Sequence, residues 1–208
     1  MSQLKYMDLS LDEILKNADR CKLVVENQKE AIVEFTEIIK TASNKRTSKN
    51  PKTTIFLVGA GRSGFVAKAF AMRLMHLGYY VYVVGETITP WINDGDIIIT
   101  VSKSGKSNSI TEIIGDSELD NVKFLSICGS EDCDLAGISD AKIIIESLPQ
   151  NCIDLEDDLD PLELILMGCA FEISAFIILD ALVCELMQNL NLREKDLKDY
   201  HDVLSSSI

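Results

Sequence analysis

Apolar residues near the start of the chain recur at helical spacing. Leu11, Ile14, Leu15, Ala18, Cys21, Val25, Ile32, Phe35 and Ile39 fall on one helix face. Ser10 and Glu13 read as a capping box ahead of them. Residues 11–42 therefore predict one long helix, broken at most once, and the polar stretch SNKRTSKNPK ends it. From residue 54 the pattern changes. TIFLV (54–58), YYVYVV (79–84), DIIITV (96–101), VKFLSI (122–127) and AKIII (141–145) are short, continuous apolar runs with little alternation. Strands covered on both faces read this way. Between the first two runs, Arg62–Leu77 reads as a helix stopped by Gly78, and SNSITEIIG opens another after the third. Strand–helix alternation of this kind predicts an α/β fold, a doubly wound five-stranded parallel sheet with helices on both faces.

The last third of the chain is mostly helical in pattern. The acidic segment DLEDDLDPLEL lacks the spacing and the central glycine of a calcium loop, so it reads as a solvated loop. After Pro161 a helix runs to about Leu190 and is apolar nearly all round. One small sheet cannot cover such a helix, which predicts packing on another subunit and a homo-oligomer. A short amphipathic helix over roughly 193–204 follows. No internal repeat or low-complexity segment interrupts the chain. Residues 1–208 read as a single domain: an N-terminal helix and linker (1–50), the sheet with its loops (53–146), and C-terminal helices (160–208).

Composition narrows the chemistry. The chain has 208 residues, 47% of them hydrophobic, enough for one globular core. A net charge of -13 argues against nucleic acid, which needs a basic stripe. The same field repels anions, so a phosphate site must be locally positive or built from backbone N–H groups. No basic, then apolar, then small-residue leader opens the sequence, and no apolar run long enough for a bilayer is free of charge. The expected location is the cytoplasm, with no membrane contact. The six cysteines, Cys21, Cys128, Cys133, Cys152, Cys169 and Cys184, show no C-x-x-C spacing. His76 and His201 lie far from any cysteine pair, so no metal site is expected and the thiols read as reduced, small apolar groups.

Two loops carry candidate chemistry, and the predicted topology puts both at carboxyl ends of strands, where open parallel sheets bind ligands. The first lies in FLVGAGRSGFVAKAF (56–70), where Gly59, Gly61 and Gly64 spell the dinucleotide pattern G-x-G-x-x-G. Glu86 follows the second strand, where a nicotinamide enzyme keeps its ribose-binding carboxylate. A nucleotide would leave the second loop, SKSGKS (102–107), without a purpose. That loop offers the hydroxyls of Ser102, Ser104 and Ser107, the freedom of Gly105, the charges of Lys103 and Lys106, and a helix opening at Ser107. Hydroxyls, N–H groups and a helix dipole form an anion cradle that suits a phosphate monoester.

VGAGRSG, AMRLMHLG, VVGETITP and SKSGKS, in this order and spacing, resemble the sugar isomerase (SIS) domain, and within it the 6-phospho-3-hexuloisomerases. MGCAFE (167–172) and LNLREKDLKDYH (190–201) resemble later motifs of that family. The resemblance is dense over 54–107 and patchy from 167 to 201. It implies a flavodoxin-like SIS domain assembled into dimers or tetramers. The implied reaction interconverts a 3-hexulose 6-phosphate and fructose 6-phosphate without metal or nucleotide cofactor. By motif, Ser63, Ser102, Ser104 and Ser107 hold phosphate with backbone help from Lys103, and Glu172 and His201 fall at the acid–base positions. Moving the carbonyl between C3 and C2 passes through a cis-enediol, which needs a base at the carbons and donors at the oxygens. Glu172, in the apolar segment MGCAFEISAFIIL, suits the base because burial there raises a carboxylate's pKa. His201 suits proton delivery or ring opening. Arg62, inside the turn beside Gly61, suits phosphate or enediolate charge, with an ion pair to Glu86 as its rival role; Arg73 is a more distant candidate. Thr87, Thr89 and Pro90 suit a wall beside the sugar, or form a simple turn. Asp180 and His76 read as structural. Lys103 stands at the serine loop's usual first glycine, and Cys169 and Ala170 stand where relatives often carry hydroxyls. These departures leave open a sugar-phosphate sensor without turnover.

Overall fold

The computed structural model describes residues 4–42, 44, 53–106, 121–146 and 169–197. Helices α1 (Lys5–Asn27) and α2 (Lys29–Thr41) come first. Then follow β1 (Ile55–Val58), α3 (Gly61–His76), β2 (Val81–Val83), β3 (Ile97–Ser102), β4 (Lys123–Cys128), α4 (Asp134–Ile138), β5 (Ala141–Ile144) and α5 (Cys169–Asn189). The helices expected after the third strand and at 198–204, and the acidic segment, lie outside the described residues; residues 194–197 form one helical turn.

The five strands pair in the order β2-β1-β3-β4-β5, and every pairing is parallel. Alternation within the strands divides the core. Ile55, Leu57, Ile97, Ile99, Val101, Leu125, Ile127, Ala141 and Ile143 face one layer, where α1, α2, α3 and α5 supply Cys21, Phe35, Ile39, Phe70, Leu74, Phe171, Leu179 and Leu182. Phe56, Val58 and Ile98 face the other way with Val122, as do Cys128 and Ile144 against Ala136 of α4. Both faces of the sheet are buried, which is why its strands read as unbroken apolar runs.

The structure sharpens the sequence reading in three local details. Helix α1 begins at Lys5, so Ser10 and Glu13 lie inside it and form no cap. KYMDL contains no glycine or proline, and nothing stops the helix from extending back past Ser10. The break falls at Gln28. Its amide donates to the Ile144 carbonyl at 2.7 Å and accepts from the Ile144 N–H at 2.8 Å, closing the outer edge of β5. Helix α5, expected to need a second subunit, receives most of its cover from α1, α2 and α3 of the same chain, which bury Phe171, Ala175, Ile178, Leu179, Leu182, Val183 and Leu186.

Candidate functional site

Strands β1 and β3 are neighbours, yet the chain leaves β1 toward β2 on one side and leaves β3 toward β4 on the other. The loops after them diverge and open a crevice at this switch point. Ala60 and Ser63 from the glycine turn, with Val101, Ser102, Lys103 and Ser104 from the serine loop, line a cleft of ≈ 420 Å³. The two loops singled out in the sequence therefore line one cleft.

Each glycine of the first turn has a geometric cause. A Cβ on Gly64 would come within 2.7 Å of the Gly59 carbonyl oxygen, and one on Gly59 within 3.0 Å of Gly64 Cα, so strand and helix meet at backbone distance. Gly61 sits at φ +55, the left-handed region that favours glycine. Helix α3 then starts without a side-chain cap, its first internal bond running from the Gly64 N–H to the Ala60 carbonyl at 3.1 Å. Its positive end opens on the cleft. The pattern thus builds a tight turn with an anion-facing helix end, which needs no dinucleotide. Glu86, the other support for a nucleotide, is held by Lys68 at 2.6 Å.

The serine loop is fixed from within and below. The Gly105 N–H donates to the Ser102 carbonyl and to Ser102 Oγ, each at 3.2 Å. The hydroxyl thereby closes the turn as an acceptor and keeps its own proton to donate. The Lys103 carbonyl accepts from the Gly129 N–H at 3.2 Å and the Gly105 carbonyl from the Leu135 N–H at 2.9 Å, which ties the loop to the segment after β4. Lys103, Ser104 and Lys106 are exposed. Cys133 packs beneath Gly105. Burial, and then neighbouring Cys133, push the Cys128 thiol up to about 12, so it stays neutral as an apolar core group does. Burial likewise raises Cys21. Cys21, Cys128, Cys133 and Cys184 are free thiols.

Glu172 lies in the first turn of α5 and is 8% exposed. Ser63 Oγ donates to its Oε1 at 3.1 Å. Arg62 Nε stands 3.9 Å from its Oε2, so Arg62 pairs with Glu172 and not with Glu86. Glu172, Arg62, Phe65, Val66, Ile173 and Phe176 line a second recess of ≈ 280 Å³ with largely apolar walls. Ser63 lines the cleft and its hydroxyl donates to the carboxylate of the recess, so the two cavities adjoin at one residue. The arrangement can hold an anion at the helix end and set a sheltered carboxylate beside it.

The remaining candidates are placed as follows. Thr87 is exposed on the turn after β2 and is not among the residues lining the cleft; Thr89 closes that turn by donating to the Val83 carbonyl at 2.7 Å. Arg73 pairs with Asp180 at 3.5 Å, away from both cavities, and His76 is buried at the end of α3. Ser107 and His201 lie outside the described residues, as does the Cys169 side chain. No described helix is long and apolar enough to cross a membrane, and no group of three or more potential metal-ligating side chains converges among the described residues. The sequence reading missed the Ser63–Glu172 bond because its partners stand 109 positions apart. It also missed Cys133 under Gly105, since a cysteine five residues past a strand carries no signal of what it packs beneath.

The SIS-domain family model matches residues 49–155, a span that holds both loops, all five strands and the cleft between them. This chain belongs to the SIS-domain family. An uncharacterized protein of Archaeoglobus fulgidus is 45% identical to it over 152 residues, 73% of this chain and 80% of that one. A Methanocaldococcus jannaschii protein named 3-hexulose-6-phosphate isomerase is 34% identical over 155 residues, 71% of this chain and 74% of that one. A crystal structure of a Methanococcus jannaschii protein, for which the function of 3-hexulose-6-phosphate isomerase was inferred, superposes with a TM-score of 0.69 at 28% identity. That superposition covers 94% of this SIS-domain chain and 97% of the other.

Proposed function

We propose that this SIS-domain protein is a cofactor-free sugar-phosphate isomerase that interconverts D-arabino-3-hexulose 6-phosphate and fructose 6-phosphate through a cis-enediol. The observation that supports this most is the meeting of an anion-ready cleft and a buried carboxylate at Ser63. In this reading the phosphate lies across the end of α3 at Gly61 and Ser63 and against Ser102, Ser104 and Ser107, with the Lys103 and Lys106 charges offsetting an acidic protein. The sugar's ketone end reaches the recess. Glu172 takes the proton from C3 of fructose 6-phosphate and returns it to C2, while the oxygen proton passes from O3 to O2, the step assigned to His201. Arg62 answers the charge that develops on the enediolate oxygens. The apolar walls of Phe65, Val66, Ile173 and Phe176 exclude water from the intermediate. Thr87, on the turn after β2, contacts the far end of the sugar in this reading.

The site's outer wall favours a homo-oligomer. Phe65 (72% exposed) and Phe176 (45% exposed) flank the recess, and Met72 and Ile177 continue their apolar face along α3 and α5. A second copy of the chain set on this face covers it and shelters the carboxylate. Incubation with fructose 6-phosphate in deuterated water tests the reaction. NMR is expected to show deuterium entering C3 and a second ketose appearing. Saturable binding without exchange instead identifies a sugar-phosphate sensor, the reading that Lys103, Cys169 and Ala170 favour. Binding of NADH without affinity for sugar phosphates refutes both.

A further inference from the structure

A hydroxyl has one proton and can donate it to one acceptor at a time. Ser63 donates its proton to Glu172 Oε1 at 3.1 Å, while the same residue lines the cleft between the glycine turn and the serine loop. A phosphate dianion in that cleft competes for the proton, and charge-assisted bonds to phosphate are short and strong. We infer that Ser63 is a positioning residue that couples phosphate occupancy to the basicity of Glu172: in the empty site it restrains the carboxylate, and the arriving phosphate draws the hydroxyl away. This rests on the phosphate site proposed above and adds to it a reason for the base to act only when substrate is seated.

The physical effect has a definite sign. A donor bonded to the charged carboxylate favours the charged form, so losing it makes Glu172 a stronger base. Among the described residues the surroundings leave few other controls. From α3 the charged group facing Glu172 is Arg62, with Nε 3.9 Å from Oε2. Helix α1 meets this end of α5 through Cys21 Sγ and the Ser174 carbonyl, and neither α1 nor α2 brings a charged side chain into ion-pair distance of Glu172 among the described residues. On α5 itself Asp180 is engaged by Arg73. Phosphate would also act directly on Glu172 as a like charge, so the hydroxyl's share must be separated from the Coulombic share by substitution.

The experiment is a titration of Glu172 by NMR of protein carrying ¹³C-labelled glutamate carboxyls, the resonance assigned by its absence in Glu172→Gln. It is run on wild type, Ser63→Ala and Ser63→Thr, with and without saturating inorganic phosphate, whose binding is checked by calorimetry. Without phosphate the Ser63→Ala midpoint is expected above that of wild type, because the donor to the charged carboxylate is gone. Phosphate is expected to raise the wild-type midpoint by more than it raises that of Ser63→Ala, and Ser63→Thr is expected to restore the wild-type behaviour. Equal midpoints of wild type and Ser63→Ala in the empty site overturn the inference, as do equal phosphate-induced shifts. Either result leaves the isomerase reading standing if deuterium exchange is seen. Failure of phosphate to bind overturns the cleft assignment and the coupling together.

Discussion

Adding one methyl group at Gly105 should unseat the serine loop. Gly105 sits at φ +60, where an alanine costs about 1–2 kcal/mol relative to ordinary backbone. A Cβ built there would stand 2.1 Å from Cys133 Sγ and 2.5 Å from Cys133 Cβ, so rotating the thiol away relieves only part of the overlap. Forced overpacking of this kind typically costs about 1–3 kcal/mol. The sum for Gly105→Ala is about 2–5 kcal/mol, and the bonds from the Gly105 N–H to Ser102 are strained with it. Cys133 caps α4 without a side-chain hydrogen bond, so Cys133→Gly alone should cost only a few tenths of a kcal/mol there beyond the lost packing. In the double variant both overlapping atoms are gone. It should recover about 1–3 kcal/mol of the loss and retain the backbone cost. Urea unfolding of the four proteins measures the cycle, and calorimetric titration with inorganic phosphate reads whether the turn still cradles an anion. The reasoning fails if Gly105→Ala lies within about 0.5 kcal/mol of wild type, or if the two substitutions simply add.

Other expectations follow from the same geometry. Glu172→Gln should lower deuterium exchange at C3 of fructose 6-phosphate by about 10²–10⁴-fold while leaving phosphate affinity within a few-fold, whereas Ser104→Ala should mainly weaken phosphate binding; near-normal exchange in Glu172→Gln removes it as the base. Tyr79 is 1% exposed, its hydroxyl has no hydrogen-bond partner among the described residues, and burial pushes its phenol up to about 12 from 10.0. Because the folded pKa lies above the unfolded one, its contribution is complete below about pH 10 and is lost as pH rises toward 12. Tyr79→Phe should therefore match or exceed wild type by about 1 kcal/mol at pH 7 and lose less stability between pH 10 and 12 in urea titrations; equal alkaline losses in both proteins contradict it. Phe65→Asp combined with Phe176→Asp should reduce the sedimenting mass if that face joins two copies, and an unchanged mass rules the face out.

The strands were legible because both sheet faces are buried. Phe56 and Ile98 are as enclosed as Ile55 and Ile97, so the runs of β1 and β3 show little apolar–polar alternation. Gly78 was legible as a helix stop because the ending is local: the Tyr79 N–H reaches the Leu74 carbonyl at 3.1 Å and the Gly78 N–H the Met75 carbonyl at 2.9 Å. Ser10 misled because a capping box competes with whatever lies before it, and KYMDL carries helix happily to Lys5. What covers α5 was illegible for a different reason. Periodicity shows how much of a helix must be buried but not by what, and α1 and α2 come from the opposite end of the chain to do it.

By itself the sequence determined the alternating elements, the tightness of both turns, and the clustering of hydroxyls at the end of one strand, because each depends on neighbours a few residues apart. Only the tertiary structure decided that the turns share a cleft, since that follows from β1 pairing with β3 while β2 is sent to the outside. Only it set Glu172 against Ser63, and gave Arg62 to Glu172 and Glu86 to Lys68. A hydrogen bond or ion pair forms between whatever groups the packing brings within about 3–4 Å, and sequence distance leaves no trace of that meeting.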